Sequence, residues 1–171
     1  DDWGLALTLG NLAYLRLEEG DAAGAEELQR EAVELHRNVG NRAGMAAEMC
    51  NVGLTALRRE RLSAAADAFL ESLDVSLEID YKELVVYSVL GCASVVSKRA
   101  RHREATLLLA AADTLAEQLA IPLQPLERAL HDEAAAAAAL ELTASDHEEA
   151  VSQGRVMSLD DLLAYAREST R

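Results

Sequence analysis

Laid over itself at a shift of 40 residues, this chain repeats its small and apolar positions. Ala25 falls on Ala65 and Ala105, Ala13 on Gly53 and Ala93, and Ala32 on Ser72 and Ala112. Leu28 falls on Ala68 and Leu108, Leu35 on Val75 and Leu115, Leu17 on Leu57, and Asn11 on Asn51. Three copies therefore fill residues 1–120, as 1–40, 41–80 and 81–120. A fixed period of this length marks a solenoid, in which each unit buries its apolar face only by stacking on its neighbours. Such arrays hold partners more often than they perform chemistry.

Composition makes the repeat helical. Half of the 171 residues are apolar, yet there are only one Phe, one Trp and four Tyr, and Ala and Leu supply the rest. Small side chains and good helix formers suit close helix packing and fit strands poorly. The only prolines, Pro122 and Pro125, share one short stretch. The formal net charge of −14 repels phosphate backbones, so nucleic acid is not an expected partner of this segment. Cys50 and Cys92 lie in apolar helical stretches, and two buried, reduced thiols in a cytoplasmic protein are expected. No apolar run is long enough to span a membrane, and no signal peptide opens the chain. The first residue, Asp1, falls inside a repeat, which suggests a fragment of a longer protein.

Each repeat reads as two helices of about 18 residues. In the first, helix A covers about 2–19 and helix B about 22–38. Gly20 supplies the left-handed turn, and Asp21 caps the second helix. Helix A carries two apolar sides, Leu5, Leu9, Leu12, Leu15 and Trp3, Leu7, Tyr14, Leu17, which predicts packing on both. Gly40-Asn41 closes the unit. The second repeat runs over about 42–79 with a break near Arg61-Leu62-Ser63, and the third over about 82–119 with a break near Arg101-His102. The small residues at positions 13, 53, 93 and 25, 65, 105 let paired helices approach closely. The period stops at Ile121-Pro122. A helix is then expected from Pro125 to about Leu142, including the run Ala134 to Ala139, followed by a short helix at about 146–153 ended by Gly154-Arg155. A last helix at about 159–168 is capped by Ser158 and Asp161. Residues 121–171 read as a helical cap on the stack.

The period exceeds the ~34 residues of the tetratricopeptide unit and approaches that of HEAT and armadillo units, but Ala13, Gly20-Asp21, Ala25 and Ala32 follow tetratricopeptide spacing. More widely, the order Trp3-Gly4-Leu5-Ala6, Leu9-Gly10-Asn11-Leu12-Ala13, Gly20-Asp21 and Ala25 resembles the tetratricopeptide region of large, chiefly actinobacterial, transcriptional regulators. These are the LuxR-type and related regulators with a signal-transduction ATPase core. The tail, from Leu107-Leu108-Leu109-Ala110-Ala111-Ala112 through Pro122-Leu123, Pro125 and Glu127-Arg128 to Gly154-Arg155 and Ser158-Leu159-Asp160-Asp161, is similar to the end of the same family's helical domain. The resemblance implies an all-α fold: a right-handed solenoid of three tetratricopeptide-like hairpins with a C-terminal helical cap. It also implies a nucleotide-binding switch domain elsewhere in such a protein. Neither a phosphate-binding glycine loop nor a basic recognition helix occurs in these residues. Related tails also occur on cyclases and kinases.

No constellation for catalysis stands out. The four histidines, His36, His102, His131 and His147, are scattered, with no metal-ligand spacing. The carboxylates fall on outward helix faces. Neither metal nor cofactor is expected, and the chain does not read as an enzyme. Two sets of residues read as binding surface. A partner-binding groove is expected from helix A positions between the packing residues: Leu7, Gly10, Tyr14, Ala47, Cys50, Leu54, Tyr87, Leu90 and Ser94. A basic edge is expected where the acidic turn Glu18, Glu19, Asp21 becomes Arg58, Arg59, Arg61 and then Lys98, Arg99, Arg101, with Arg103 beyond. The expected occupant is a protein or peptide partner, or another domain of the same chain, docked through an apolar segment or an acidic surface. Self-association as a homodimer and small-ligand binding in the groove are the alternatives.

Overall fold

The computed structural model describes residues 1–171. Nine helices follow one another: α1 (Asp2–Glu18), α2 (Ala22–Asn38), α3 (Arg42–Arg58), α4 (Leu62–Glu78), α5 (Lys82–Lys98), α6 (His102–Leu119), α7 (Pro125–Glu141), α8 (Ala144–Arg155) and α9 (Leu159–Thr170). The fold is all-α. The first six helices start at intervals of 20 residues, so the 40-residue repeat consists of two half-units of equal length.

Every half-unit closes in the same way. Residues 20, 40, 60, 80, 100 and 120 all have positive φ, between 54° and 85°. The N–H of Gly20 donates to the carbonyl of Leu17 at 3.1 Å, and that of Asp21 to the carbonyl of Arg16 at 2.8 Å. The same pair of bonds recurs at each turn, down to Ile121 N–H on the Ala116 carbonyl at 2.9 Å. This is the Schellman closure, which satisfies the last carbonyls of the helix. Glycine stands only at the first two turns. Glu60, Asp80, Ala100 and Ala120 adopt the left-handed conformation despite a Cβ. Losing the glycine therefore leaves the turn geometry intact.

The chain divides into two compact units, Asp1–Val85 and Val86–Arg171. In the first, α1 pairs with α2 and α3 with α4, while α2 packs against α3. The small repeat positions sit at these contacts: Ala13, Ala25, Ala32 and Ala65 are fully buried, as are Phe69 and Leu73. Ser72 Oγ donates to the Ala46 carbonyl at 2.8 Å, tying α4 to α3. Asp21 Oδ1 and Asn41 Oδ1 each accept from a backbone N–H in the first turn of α2 and α3, at 2.9 Å.

Packing on both sides of α1, expected from its two apolar faces, does not occur. Its buried residues are Ala6, Gly10, Ala13 and Leu17. Leu5, Leu12 and Leu15 remain 45%, 40% and 53% exposed. The repeat-equivalent Met45, Val52 and Thr55 on α3 are half-buried or buried, because α3 has α2 beside it as well as α4.

In the second unit, α7, α8 and α9 all pack on α6. Val86, Val89, Leu90, Cys92, Ala93, Val95 and Val96 of α5 are fully buried. Pro125 opens α7 at its first turn, where no intrahelical N–H is needed. Within the alanine run, Ala134 and Ala138 are buried and Ala136 and Ala139 exposed, so the run has a packing face at helical spacing. Helix α8 starts earlier than expected. Thr143 caps it, accepting from Asp146 N–H at 3.1 Å and donating to Asp146 Oδ2 at 2.7 Å. Ser158 and Asp161 repeat that arrangement at the start of α9. The helix ends at Arg155, as expected, and Gly154 in its last turn is buried and faces the α6 backbone.

Candidate functional site

The residues expected to form a groove differ sharply in accessibility. In the first unit Leu7 is exposed and Tyr14 and Ala47 are half-buried, whereas Gly10, Cys50 and Leu54 are buried. In the second unit Tyr87, Leu90 and Ser94 are all buried. Tyr87 Oη donates to the Pro122 carbonyl at 2.8 Å, and Ser94 Oγ to the Leu90 carbonyl at 3.0 Å. The accessible part of the set is thus Leu7, Tyr14 and Ala47. Leu7 and Tyr14 fall on one stripe of α1 with Trp3, which is half exposed.

Glu48, beside these residues on α3, escaped the sequence reading. It is buried and meets α1 at Gly10, where an added Cβ would lie 2.9 Å from the carboxylate carbon. Asn51 Nδ2 donates to Oε1 at 3.5 Å, while Oε2 is buried with no partner in the protein. Loss of hydration pushes its pKa from 4.5 up to about 7, only partly opposed by the Asn51 bond. The side-chain amide of Gln29, on α2, is likewise buried without a partner at either end. The repeat alignment holds the signal for Glu48: its counterparts are Thr8 and Ser88, so a carboxylate stands where the other copies carry a hydroxyl.

The basic edge is largely engaged within each unit. Arg61 Nη2 pairs with Glu26 at 3.0 Å, and Arg59 pairs with the same carboxylate. Lys98 lies 3.9 Å from Glu133. Arg103 Nη2 contacts Glu149 at 3.3 Å and Gln153 at 3.0 Å. Arg101 Nη1 donates to the Ser169 carbonyl at 2.7 Å, its Nε pairs with Glu104 at 3.2 Å, and Arg99 donates to the Thr170 carbonyl. The last two arginines therefore cover carbonyls at the C-terminus of α9, where a helix lacks internal donors and favours positive charge. Arg58 is exposed at the end of α3. The contacts of Arg99 and Arg101 join residues about 70 positions apart, which no local pattern announces.

Of the histidines, His36 is buried on α2 and its Nδ1 accepts from Asn41 Nδ2 at 3.1 Å, with burial lowering its pKa. His131 on α7 places Nε2 by Asp113 Oδ2 on α6 and Nδ1 by Asp132 Oδ1, both at 3.1 Å, and the Asp113 hydrogen bond leads in raising its pKa. No three His, Cys, Asp or Glu side chains converge as a metal site would require. Both cysteines are free thiols. No helix is long and apolar enough to cross a membrane.

Comparison with known proteins agrees with the geometry of the first unit. No curated protein and no solved structure matches the chain. Residues 4–78, which span α1 through α4, match the tetratricopeptide repeat family. Residues 4–78 are a tetratricopeptide repeat region.

Proposed function

We propose that the first unit is a non-catalytic docking module for a protein or peptide segment, seated on the accessible stripe of α1. Tetratricopeptide repeats typically mediate protein–protein interaction, and the match over residues 4–78 supports that class here. The observation that carries the reading is the exposure of Trp3 and Leu7 beside half-buried Tyr14 and Ala47. An aromatic and aliphatic stripe of this kind suits the apolar face of a helix or an extended apolar segment. In the finer form of the proposal, three hairpins at 1–120 and a cap at 121–171 act as the signal-sensing part of a bacterial transcriptional regulator in the cytoplasm. Partner docking, or docking of another domain of the same chain, would bias a nucleotide-driven switch. The resemblance of the N-terminal and tail motifs supports this form. The test places a photoreactive residue at Tyr14 and identifies the cross-linked partner. The affinity of that purified partner is then measured for Leu7→Asp and Tyr14→Ala. Each change is expected to weaken binding by ~10-fold or more, as central apolar anchors do, and unchanged affinity for both overturns the proposal.

One observation favours a second reading, the homodimer. Leu5, Leu12 and Leu15 leave the opposite side of α1 uncovered, and a large apolar patch on a helix face is an association surface. Sedimentation equilibrium decides it. A dimer that Leu12→Asp returns to monomer supports this reading, and a wild-type monomer at every concentration removes it.

A further inference from the structure

The second unit holds a cleft of about 620 Å³ among α6, α7 and α8, a size that suits a small ligand. Its apolar wall includes Leu109, Ala135 and Val151, and its polar rim includes Glu117, His147 and Arg155. Asp113 and His131, joined at 3.1 Å, form its floor between α6 and α7. That pair is already engaged, because each ring nitrogen of His131 lies 3.1 Å from a carboxylate oxygen.

The rim is not satisfied. Glu117 and Arg155 line the same cleft, yet neither makes an ion pair or a side-chain hydrogen bond, with the other or with anything else. Of the other cations of this unit, Lys98, Arg99, Arg101 and Arg103 are engaged by carboxylates or carbonyls, while Arg128 and Arg171 are exposed and, like Arg155, make no ion pair. A free carboxylate and a free guanidinium lining one cleft, together with an apolar wall, complement a molecule with the reverse charges and an apolar body. Each charge would be matched by a charge-assisted hydrogen bond, and the apolar body would leave water.

We propose that this cleft binds a zwitterion with an apolar body: its ammonium on Glu117, its carboxylate on Arg155, and its aliphatic part on Leu109, Ala135 and Val151. A free amino acid and a short apolar peptide share this chemistry. The proposal concerns a surface of the second unit and is independent of partner docking on α1.

The test is titration of the full chain with leucine and with alanyl-leucyl-alanine, followed by calorimetry and by amide chemical shifts of α6–α8. Saturable binding of either compound is expected, and the tighter of the two identifies the source. N-acetylation of the ligand should weaken binding by ~10-fold or more in the wild type and have little further effect in Glu117→Gln. Amidation of the carboxylate should do the same in the wild type and little in Arg155→Gln. Both side chains are exposed and unpaired, so the variants should keep the wild-type melting temperature. Arg128 lines a neighbouring hollow that shares Glu117, which makes Arg128→Gln the control. The proposal is overturned if neither compound binds at ~10 mM, a concentration that would register even a weak site. It is equally overturned if both rim variants bind as the wild type does, or if Arg128→Gln abolishes binding while Arg155→Gln does not.

Discussion

Each unit has a helix contact that closes over a glycine, Gly10 in the first and Gly154 in the second, and these two are built differently; Gly53, also in the first unit, faces the Phe69 ring. At Gly10 in the first unit the facing group is the carboxylate of Glu48, the end of a flexible side chain. At Gly154 in the second unit it is the backbone of α6: the Leu107 carbonyl, the Ala111 nitrogen at 3.2 Å and the Ala110 Cβ at 2.9 Å. A side-chain end can rotate away, whereas a helix backbone moves only as a body. The contact at Gly10 is therefore tolerant and accommodates a buried acid. The contact at Gly154 is locked.

The largest expected effect tests that lock. Gly154→Ala should force α8 off α6 and destabilise the second unit by about 3 kcal/mol, the upper end of overpacking penalties, against a helix-propensity gain of about 1 kcal/mol. Gly10→Ala should cost clearly less. Denaturant unfolding followed by amide exchange in each unit checks both, and equal losses would erase the distinction between the contacts.

A smaller effect is carried by Glu48 and depends on pH. Its carboxyl releases a proton at about 7 in the folded chain against an ordinary 4.5, so the folded state holds the proton more tightly. Stability must then fall as pH rises from about 4.5 and level off once the folded group ionises near 7. Above that, the buried charge costs on the order of 3 kcal/mol. Glu48→Gln keeps the shape and removes the charge. At pH 8 it should be more stable than the wild type by up to this amount, and at pH 4 the two should match. His36 works in the opposite direction: its lowered pKa makes the fold less stable as pH falls below the ordinary histidine value. Comparing variant with wild type at each pH cancels that contribution. A Glu48→Gln advantage that does not change with pH would show that Glu48 is ionised, or protonated, throughout.

The repeat made the helices legible because it is carried by small buried residues, and Ala13, Ala25, Ala32 and Ala65 need only their own positions to be recognised. Helix ends were legible where a local side chain makes them, as Asp21, Asn41 and Ser158 do. The reading failed where a residue acts through distant partners. Gly154 marks the end of α8 as its type suggests, but its packing on α6 was not legible, because the residues it faces lie more than 40 positions away in sequence. Arg99 and Arg101 looked like a free basic edge because the α9 carbonyls they cover lie near the end of the chain. The apolar sides of α1 were visible, but whether a neighbour covers them is not a property of α1. Of the candidate groove, Leu7 is exposed and Tyr14 half-buried, while Tyr87 and Ser94, at the same positions of the third copy, are buried.

The smallest expected effect separates the first two turns from the other four. Glu60, Asp80, Ala100 and Ala120 hold φ near +54° to +60° with a Cβ present, a conformation that costs an ordinary residue roughly 1 kcal/mol. Gly20 and Gly40 avoid that cost. Ala100→Gly should therefore stabilise the chain, but by only ~0.5 kcal/mol, because glycine also loosens the unfolded state. Gly20→Ala should destabilise by a similar amount, with no crowding to add to it, since nothing lies within 4 Å of its Cβ position. The two changes are opposite in sign and nearly equal in size only if all six turns share one geometry. Thermal unfolding of the pair measures this. Destabilisation by Ala100→Gly would mean that the Cβ at position 100 contributes packing that outweighs its backbone strain.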